Sequence, residues 1–325
     1  MGFRHRLYNP EIFQGTLSKR NYFEGWYYKI VHAQEYHALA IIPGISIGRE
    51  EPDHAFIQVL DGKANKSYYF KFPMEEFSAN SKILDIRIGA NHFTRNSLII
   101  NCPGFTGKIM WLSTISIPSS LFNPGIMGWY SFVPFMECYH GIVSMHHKLG
   151  GMIQMEDKAV SFEGGTGYIE KDWGTSFPRC WIWAHSNNFE NTTPISLMAS
   201  VAHIPWLGNY FVGFIVAFLF EGEVKVFATY NGSKKKVTIE EGTVHLSFKR
   251  GKEILTITAH PAPGASLYSP IKGIMTGKVN ESLQATLELS YFIDEQLVYQ
   301  GTGTSSGLEV AGDTDILLSE NWSSK

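Results

Sequence analysis

Cysteine is scarce in this sequence, and the few cysteines present are scattered. The three cysteines are Cys102, Cys138 and Cys180. They do not make a disulfide framework, and none forms a Cys-x-x-Cys pair. We therefore predict a reducing compartment and neither a zinc site nor any other metal site.

Long hydrophobic runs and targeting signals are also missing. The longest apolar run, residues 206–220, is too short to span a bilayer comfortably, so we interpret it as a buried strand. Residues 1–10 are polar and basic and lack the apolar segment of a secretory signal. We expect a cytoplasmic protein, with peripheral membrane contact as a route by which a hydrophobic substrate could reach it.

Neither the net charge nor the glycine pattern indicates that the protein binds nucleic acid or a nucleotide. The net charge is −3, which argues against a general nucleic-acid binder. Residues 164–167 and 301–303 are glycine-rich but do not fit the dinucleotide fingerprint, so we interpret them as turns. A Gly-x-Ser-x-Gly elbow is absent, which weakens a serine hydrolase interpretation.

The composition is that of a folded β protein. The chain is 44% hydrophobic and 14% aromatic, enough for a full core. Residues 283–289 alternate between apolar and polar, which predicts a strand with one buried face. Glu221-Gly222 and Asn231-Gly232 have the composition of hairpin turns. Many short strands separated by turns predict an all-β protein of two consecutive antiparallel barrel or sandwich units.

One stretch, residues 168–189, combines acids, indoles and an imidazole. On a strand, Glu170 and Asp172 share a face while Lys171 points away. Two close carboxylates raise the pKa of one of them, and a neutral acid is what general acid catalysis needs. The structural alternative is that Asp172 accepts hydrogen bonds from backbone amides at the turn before Gly174.

Three further sets of residues are candidates, the first two by the same parity argument. Trp181, Trp183 and His185 share a face, where indoles could stabilise a developing cation or simply pack a core. Glu24 lies in an aromatic row, so it is predicted to be protonated or paired, with a salt bridge at a sheet edge as the alternative. His140 could act as a base or orient a carboxylate, or it could be a structural histidine.

Four segments resemble the tocopherol cyclase family, in the order in which the family has them, and the likeness is to a bacterial member. The resemblance implies two lipocalin-like β units, which we place at residues 1–165 and 166–325, and a cofactor-free activity that closes a chromanol ring on a prenylated hydroquinone. The matching segments are Tyr22-Phe-Glu-Gly-Trp-Tyr-Tyr-Lys29, residues 127–141, residues 167–178 with Trp181-Ile-Trp183, and Ser306-Gly-Leu-Glu309.

These observations lead to a hypothesis of alkene protonation in a dry pocket. The predicted catalytic residues are Asp172, Glu170, His140, His185 and Glu24. The predicted substrate-binding residues are Trp26, Tyr28, Trp129, Tyr139, Trp173, Trp181 and Trp183. The predicted partner is a hydrophobic small molecule, such as a prenylquinol, isoprenoid or lipid. A binding protein that holds such a molecule unchanged, and a hydratase in which water captures the cation, remain open alternatives.

Overall fold

The chain is built almost wholly from antiparallel β-strands, which confirms the all-β prediction. A computed structural model describes residues 3–34, 37–191 and 193–324. Within these ranges the one α-helix is α1, Phe3–Leu7. Short 3-10 turns lie at Met74–Glu76, Gly128–Phe132, Thr229–Asn231 and Thr314–Leu317.

The strands are numbered in chain order. They are β1 Tyr22–Val31, β2 Ala38–Ile47, β3 His54–Asp61, β4 Lys66–Pro73, β5 Phe77–Ala79, β6 Asp85–Ile88, β7 Asn91–Thr94, β8 Ser97–Cys102, β9 Phe105–Met110, β10 Cys138–Lys148, β11 Gly150–Met155, β12 Lys158–Ser161, β13 Thr166–Gly174, β14 Trp181–Ser186, β15 Ser196–Trp206, β16 Asn209–Phe220, β17 Glu223–Ala228, β18 Lys234–Glu240, β19 Thr243–Arg250, β20 Glu253–His260, β21 Ala265–Ile271, β22 Ile274–Ile293, β23 Gln296–Ala311 and β24 Ser319–Ser323.

The chain divides into two compact units. The first comprises Met1–Phe177 and Ser266–Lys278, and the second comprises Pro178–Ala265 and Val279–Lys325. The second unit is therefore interrupted in sequence by a segment that belongs to the first. Our division into residues 1–165 and 166–325 stays a prediction.

Three antiparallel sheets make up the fold. The first has the order β10-β13-β1-β2-β3-β4 and the second the order β12-β11-β9-β8-β7-β6-β5. The third follows β17-β16-β15-β14-β23-β22-β20-β19-β18-β24, with β21 paired to β22. Among the described residues none of these sheets closes on itself, so the lipocalin-like units are open rather than closed barrels.

Two apolar cores correspond to these sheets. One joins the first and second sheets, with Trp26 and Tyr28 on one side and Phe93 and Ile109 on the other. The other core is formed by the third sheet, where alternate residues of β22 are buried as the two-residue period predicts. In β22, where alternate residues are buried, the burial of one face keeps the strand pairing in register.

The turn predictions have mixed outcomes. Glu221 and Gly222 both adopt positive φ between the paired strands β16 and β17, which confirms this hairpin. The prediction for Asn231-Gly232 is wrong, because β17 pairs with β16 and β18 pairs with β19 and β24. Gly232 instead ends a 3-10 turn with φ +80°.

The apolar run at residues 206–220 forms part of the third sheet. It covers the end of β15 and all of β16, and the second half of β16 is mostly buried, as predicted for a buried strand. In the part of the chain that the structure describes, helices with the length and hydropathy needed to cross a membrane are absent.

Candidate functional site

Strand β13 is the element that positions the candidate site. It lies between β1 and β10 in the first sheet, and both of these neighbours run antiparallel to it. Tyr168, Glu170 and Asp172 project to one face, and Lys171 and Trp173 project to the other. The strand-parity argument from the sequence therefore describes this element correctly.

Three of the predicted catalytic side chains meet on the first of these faces. His140 on β10 lies directly opposite Asp172 on β13, and its Nδ1 is 2.9 Å from Asp172 Oδ1. The other ring nitrogen, Nε2, is 3.5 Å from Glu170 Oε2. The Tyr168 hydroxyl donates a hydrogen bond of 2.5 Å to Glu170 Oε2. We call His140, Glu170 and Asp172 the acidic cluster.

The three side chains of the acidic cluster differ in their exposure to solvent. Only 6% of the Glu170 side chain is exposed, against 13% for His140 and 24% for Asp172. Cys138 Sγ is 3.9 Å from Asp172 Oδ1, and burial raises the pKa of this thiol well above its usual value. Asp172 is therefore the member of the cluster that a ligand can reach most easily.

The electrostatics of the cluster favour a charged imidazole. Burial lowers the pKa of His140. The carboxylates of Asp172 and Glu170 and the hydrogen bond to Asp172 raise this pKa by more than burial lowers it, so that the net value is about 9. Burial, with the adjacent Glu170 carboxylate, also raises the pKa of Tyr168 well above its usual value, so this hydroxyl keeps its proton and donates. At neutral pH the cluster thus holds a proton close to its accessible carboxylate.

The acidic cluster could also hold a metal ion, which the sequence analysis did not predict. One donor atom from each of His140, Glu170 and Asp172 lies within 4.8 Å of the others. Histidine and carboxylate oxygens are a common donor set for divalent metals. A metal would need the neutral imidazole, so metal and proton compete for His140.

The opposite face of β13 carries a buried ion pair. Lys171 Nζ is 2.5 Å from Glu24 Oε1, and neither side chain has any exposed surface. Glu24 also accepts hydrogen bonds from the backbone amides of Gln14 and Gly15, at 2.8 and 3.0 Å, and from the Tyr22 hydroxyl. Glu24 is therefore paired, which is one of the states that the sequence analysis allowed. Its partner is a lysine, and the pair lies in the core rather than at a sheet edge.

This ion pair separates Glu24 from the predicted acid groups. Glu24 and Asp172 lie on opposite faces of the first sheet, and the Glu24 carboxylate already accepts four donors. Lys171 also donates to the carbonyls of Pro10 and Ile12. Burial lowers the pKa of Lys171 to about 8, although Glu24 opposes this shift. The catalytic role predicted for Glu24 stays a prediction that this geometry does not favour.

Several predicted substrate-binding aromatics lie away from the acidic cluster. Trp26 and Tyr28 are buried in the core between the first and second sheets, where they donate hydrogen bonds to the carbonyls of Glu11 and Thr94. Trp129, by contrast, is 44% exposed. The core positions of Trp26 and Tyr28 make a packing role the simpler interpretation for them.

Tyr139 and Trp173 form a stacked pair on the face opposite Asp172. Their ring centroids are 5.5 Å apart. The Lys171 ammonium group lies 4.8 Å from the centroid of the Trp173 ring. Trp173 therefore already has a cation over its ring.

The sequence analysis missed the aromatic side chains that share a face with the acidic cluster. Tyr27 lies directly opposite Glu170 on β1, and Phe23 lies opposite Gly174. Phe23 also packs edge-on against Phe177, with ring centroids 5.4 Å apart. The sequence analysis selected the other face of β1 because it contains a carboxylate, in the row Tyr22, Glu24, Trp26 and Tyr28. The register that sets Tyr27 beside Glu170 is not readable from local pattern.

The remaining predicted residues belong to the second unit. Trp181 on β14 donates from Nε1 to Glu309 Oε2 at 2.5 Å, and Trp183 stacks on buried His185 with centroids 6.1 Å apart. Glu309 lies opposite Glu281 on the neighbouring strand, and Glu281 is buried. These two carboxylates were not predicted as site residues. The substrate-binding roles of Trp181 and Trp183 and the catalytic role of His185 stay predictions.

Comparison with protein families confirms the resemblance noted in the sequence. The model of the tocopherol cyclase-like family matches residues 117–312, which is more than half of the chain. This range contains the acidic cluster on β10 and β13 and the aromatic residues of β14.

Two of the curated relatives are plant proteins. The rice (Oryza sativa subsp. japonica) protein named "Probable tocopherol cyclase, chloroplastic" is 25% identical over 147 residues, covering 44% of this chain and 31% of the rice protein. The Zea mays protein named "Tocopherol cyclase, chloroplastic" is 22% identical over 196 residues, covering 57% and 41% of the two proteins. The chain thus matches less than half the length of either relative.

Solved structures with a similar fold have little sequence in common with this chain. A Nitrosomonas europaea protein assigned as AttH has a TM-score of 0.52 at 14% identity, covering 88% of this chain and 92% of that one. CghA has a TM-score of 0.57 at 9% identity, covering 90% and 88%. At such identities the likeness concerns the fold.

Proposed function

Because this chain belongs to the tocopherol cyclase-like family, we propose that it is a cyclase that closes an oxygen-containing ring on a prenylated hydroquinone or a related isoprenoid. The reaction we propose is an isomerisation that begins with protonation of an alkene. The acidic cluster carries this proposal, because His140 lies between two carboxylates, one of which is accessible.

Asp172 is the proposed proton donor. A carboxyl group that takes up the proton held at His140 Nδ1, 2.9 Å away, can pass it to an alkene carbon. The π electrons of the alkene form the new C–H bond and leave a tertiary cation on the neighbouring carbon. General acid catalysis of this kind contributes roughly 10²- to 10⁴-fold in rate.

Ring closure returns the proton to the protein. A lone pair of the phenolic oxygen forms the C–O bond to the cation, and the phenolic proton then passes back to the Asp172–His140 pair. Substrate and product have the same atoms, so the reaction needs neither an oxidant nor a reductant. Holding the phenol close to the cation also favours ring closure over capture by water.

The neighbouring side chains have positioning roles in this proposal. Glu170 holds the imidazole from its Nε2 side, and Tyr168 fixes the Glu170 carboxylate. Tyr27, on the same face of the first sheet, supplies an aromatic ring that can stabilise positive charge.

The test is turnover of a geranylated hydroquinone in D₂O. We expect a cyclised isomer that carries one non-exchangeable deuterium at the protonated carbon. Incorporation of ¹⁸O from labelled water would instead identify a hydratase. Tight binding of the unchanged quinol without product would identify a binding protein.

A metal control accompanies this assay. Dialysis against EDTA should leave turnover unchanged if the cluster handles a proton. Turnover that disappears with EDTA and returns with a divalent ion would assign the acidic cluster to metal catalysis.

A further inference from the structure

A concave site in the first unit lies beside the acidic cluster but does not include its carboxylates. This pocket has a volume of about 630 Å³, within the range of small-molecule sites. Tyr139 and Trp173, on the face opposite Asp172, belong to its lining. Of the acidic cluster, His140 borders the pocket, whereas neither carboxylate does.

The lining of this pocket is strongly basic. It includes Arg6, Lys19, Arg20 and Arg95, and its acidic member is Glu11. This excess of positive charge is local, because the whole chain has a net charge of −3. Clefts lined by charge of one sign concentrate ligands of the opposite sign.

Two of the four basic side chains have acidic partners. Arg20 is 3.4 Å from Asp53, and Arg95 is 3.2 Å from Glu11. Arg6 and Lys19 form no ion pair within 4.0 Å among the described residues, although the negative charge of Glu24 raises the pKa of Lys19 against the larger lowering by burial. The Lys19 ammonium instead lies over the Tyr22 ring, 4.0 Å from its centroid.

Arg6 provides the most specific signal for an anion. Its Nη1 donates to the Gln14 carbonyl at 3.0 Å. Its Nε is buried and has no hydrogen-bond partner in the described part of the chain. A buried donor without an acceptor is unfavourable, and a guanidinium group binds carboxylate or phosphate through two parallel hydrogen bonds.

The pocket also offers an apolar surface for the rest of a ligand. Tyr139 and Trp173 stack on one another, and Tyr8, Ile126 and Phe132 belong to the same lining. We propose that this pocket binds an organic anion, with its oxyanion at Arg6 and Lys19 and its apolar body on these aromatic rings. This site is additional to the cyclase activity proposed above.

The test compares three probes by isothermal titration calorimetry. Geranyl phosphate carries both the apolar body and the oxyanion, geraniol carries the body alone, and inorganic phosphate carries the oxyanion alone. For the wild-type chain we expect geranyl phosphate to bind at least about tenfold more tightly than either of the other probes, since one hydrogen bond to a charged group is worth that much.

Variants then assign the binding to the basic residues. Arg6→Gln and the exposed Lys19→Gln should each lose about tenfold in geranyl phosphate affinity, with geraniol binding unchanged. Lys82→Gln, an exposed lysine outside this pocket, is the matched control and should bind as the wild type does. Urea midpoints equal to that of the wild type would show that the variants are folded.

Three results would overturn the proposal. Equal affinities for geranyl phosphate and geraniol would show that no oxyanion site exists. Phosphate that binds as tightly as geranyl phosphate would remove the apolar part of the site. Full affinity in both Arg6→Gln and Lys19→Gln would place the anion elsewhere. None of these results bears on hydroquinone turnover, so the two proposals fail separately.

Discussion

Lys171 and Asp172 are neighbours on β13, but they belong to two buried charged groups that differ in composition and in exposure. On one face of β13, Lys171 and Glu24 form a one-to-one pair with no exposed surface, and backbone groups complete their hydrogen bonds. On the other face, His140 is flanked by two carboxylates, and Asp172 keeps 24% of its side chain exposed.

The difference between these faces separates a structural role from a chemical one. A saturated ion pair leaves no donor or acceptor for a substrate, and removing one partner leaves a buried charge. A cluster with two carboxylates and one imidazole retains a proton that can move between them. Its accessible carboxylate can then transfer that proton to a substrate. Burial and charge alone would not have distinguished Glu24 from Glu170.

The largest expected effect is on catalysis, through Asp172. Asp172→Asn keeps the shape of the side chain but removes the group that carries the proton, so turnover of a geranylated hydroquinone should fall by about 10³-fold or more. Initial rates by chromatography would measure the loss.

The chain contains a matched control for this variant. Asp85 also lies 2.9 Å from a histidine, His92, in a half-buried pair outside the acidic cluster. Asp85→Asn should therefore keep the wild-type rate. Equal rates in the two variants would mean that Asp172 does not donate the proton.

The next effect is on stability, through Lys171. Lys171→Met leaves the Glu24 carboxylate buried without its cation and should lower the free energy of unfolding by about 3–5 kcal/mol. The double variant Glu24→Gln/Lys171→Met should recover much of this loss. Urea unfolding measures both.

A surface ion pair is the control for Lys171. Lys252 and Asp294 are 2.8 Å apart but largely exposed, so Lys252→Met should change the free energy of unfolding by less than about 1 kcal/mol. Similar losses for Lys171→Met and Lys252→Met would contradict a structural role for the buried pair.

A third effect depends on pH and on His140. Its pKa in the folded protein, about 9, lies above its ordinary value of 6.5. The stabilisation is therefore fully present below pH 6.5 and is lost as the pH rises through 9. The difference in unfolding free energy between wild type and His140→Gln should shrink by up to about 3 kcal/mol over this interval. Parallel pH profiles would contradict the raised pKa.

The smallest effect is expected from Tyr168. Tyr168→Phe removes the hydroxyl that donates to Glu170 and should slow turnover by about tenfold, the worth of one hydrogen bond to a charged group. Tyr291→Phe is the control, because Tyr291 also donates to a carboxylate, that of Glu253, but lies in the core of the third sheet, and it should keep the wild-type rate. An equal loss of rate in Tyr291→Phe and Tyr168→Phe would mean that Tyr168 has no specific role in the site.

The sequence predicted those parts of the site that depend on local pattern. Glu170 and Asp172 share a face because side chains alternate along any strand. The all-β class and the Glu221-Gly222 hairpin follow from local signals of the same kind. Asn231-Gly232 has a similar signature yet joins strands that do not pair, because turn composition does not specify the partner strand.

Long-range register is what the sequence could not supply. Glu24 meets Lys171, Tyr27 meets Glu170 and His140 meets Asp172 only because β1, β10 and β13 pair as they do. A one-residue shift of β1 would exchange its two faces and bring Glu24 beside the acidic cluster. The choice among the predicted acids therefore needed the structure.

The protonation state of His140 tests the central claim most directly. Ring ¹⁵N chemical shifts, followed by NMR as a function of pH, should show His140 titrating near pH 9 in the wild type and at least about one pH unit lower in Asp172→Asn, where a neighbouring charge is lost. A His140 pKa at or below the ordinary value of 6.5 would mean that the cluster holds no proton at neutral pH, and the account would be wrong.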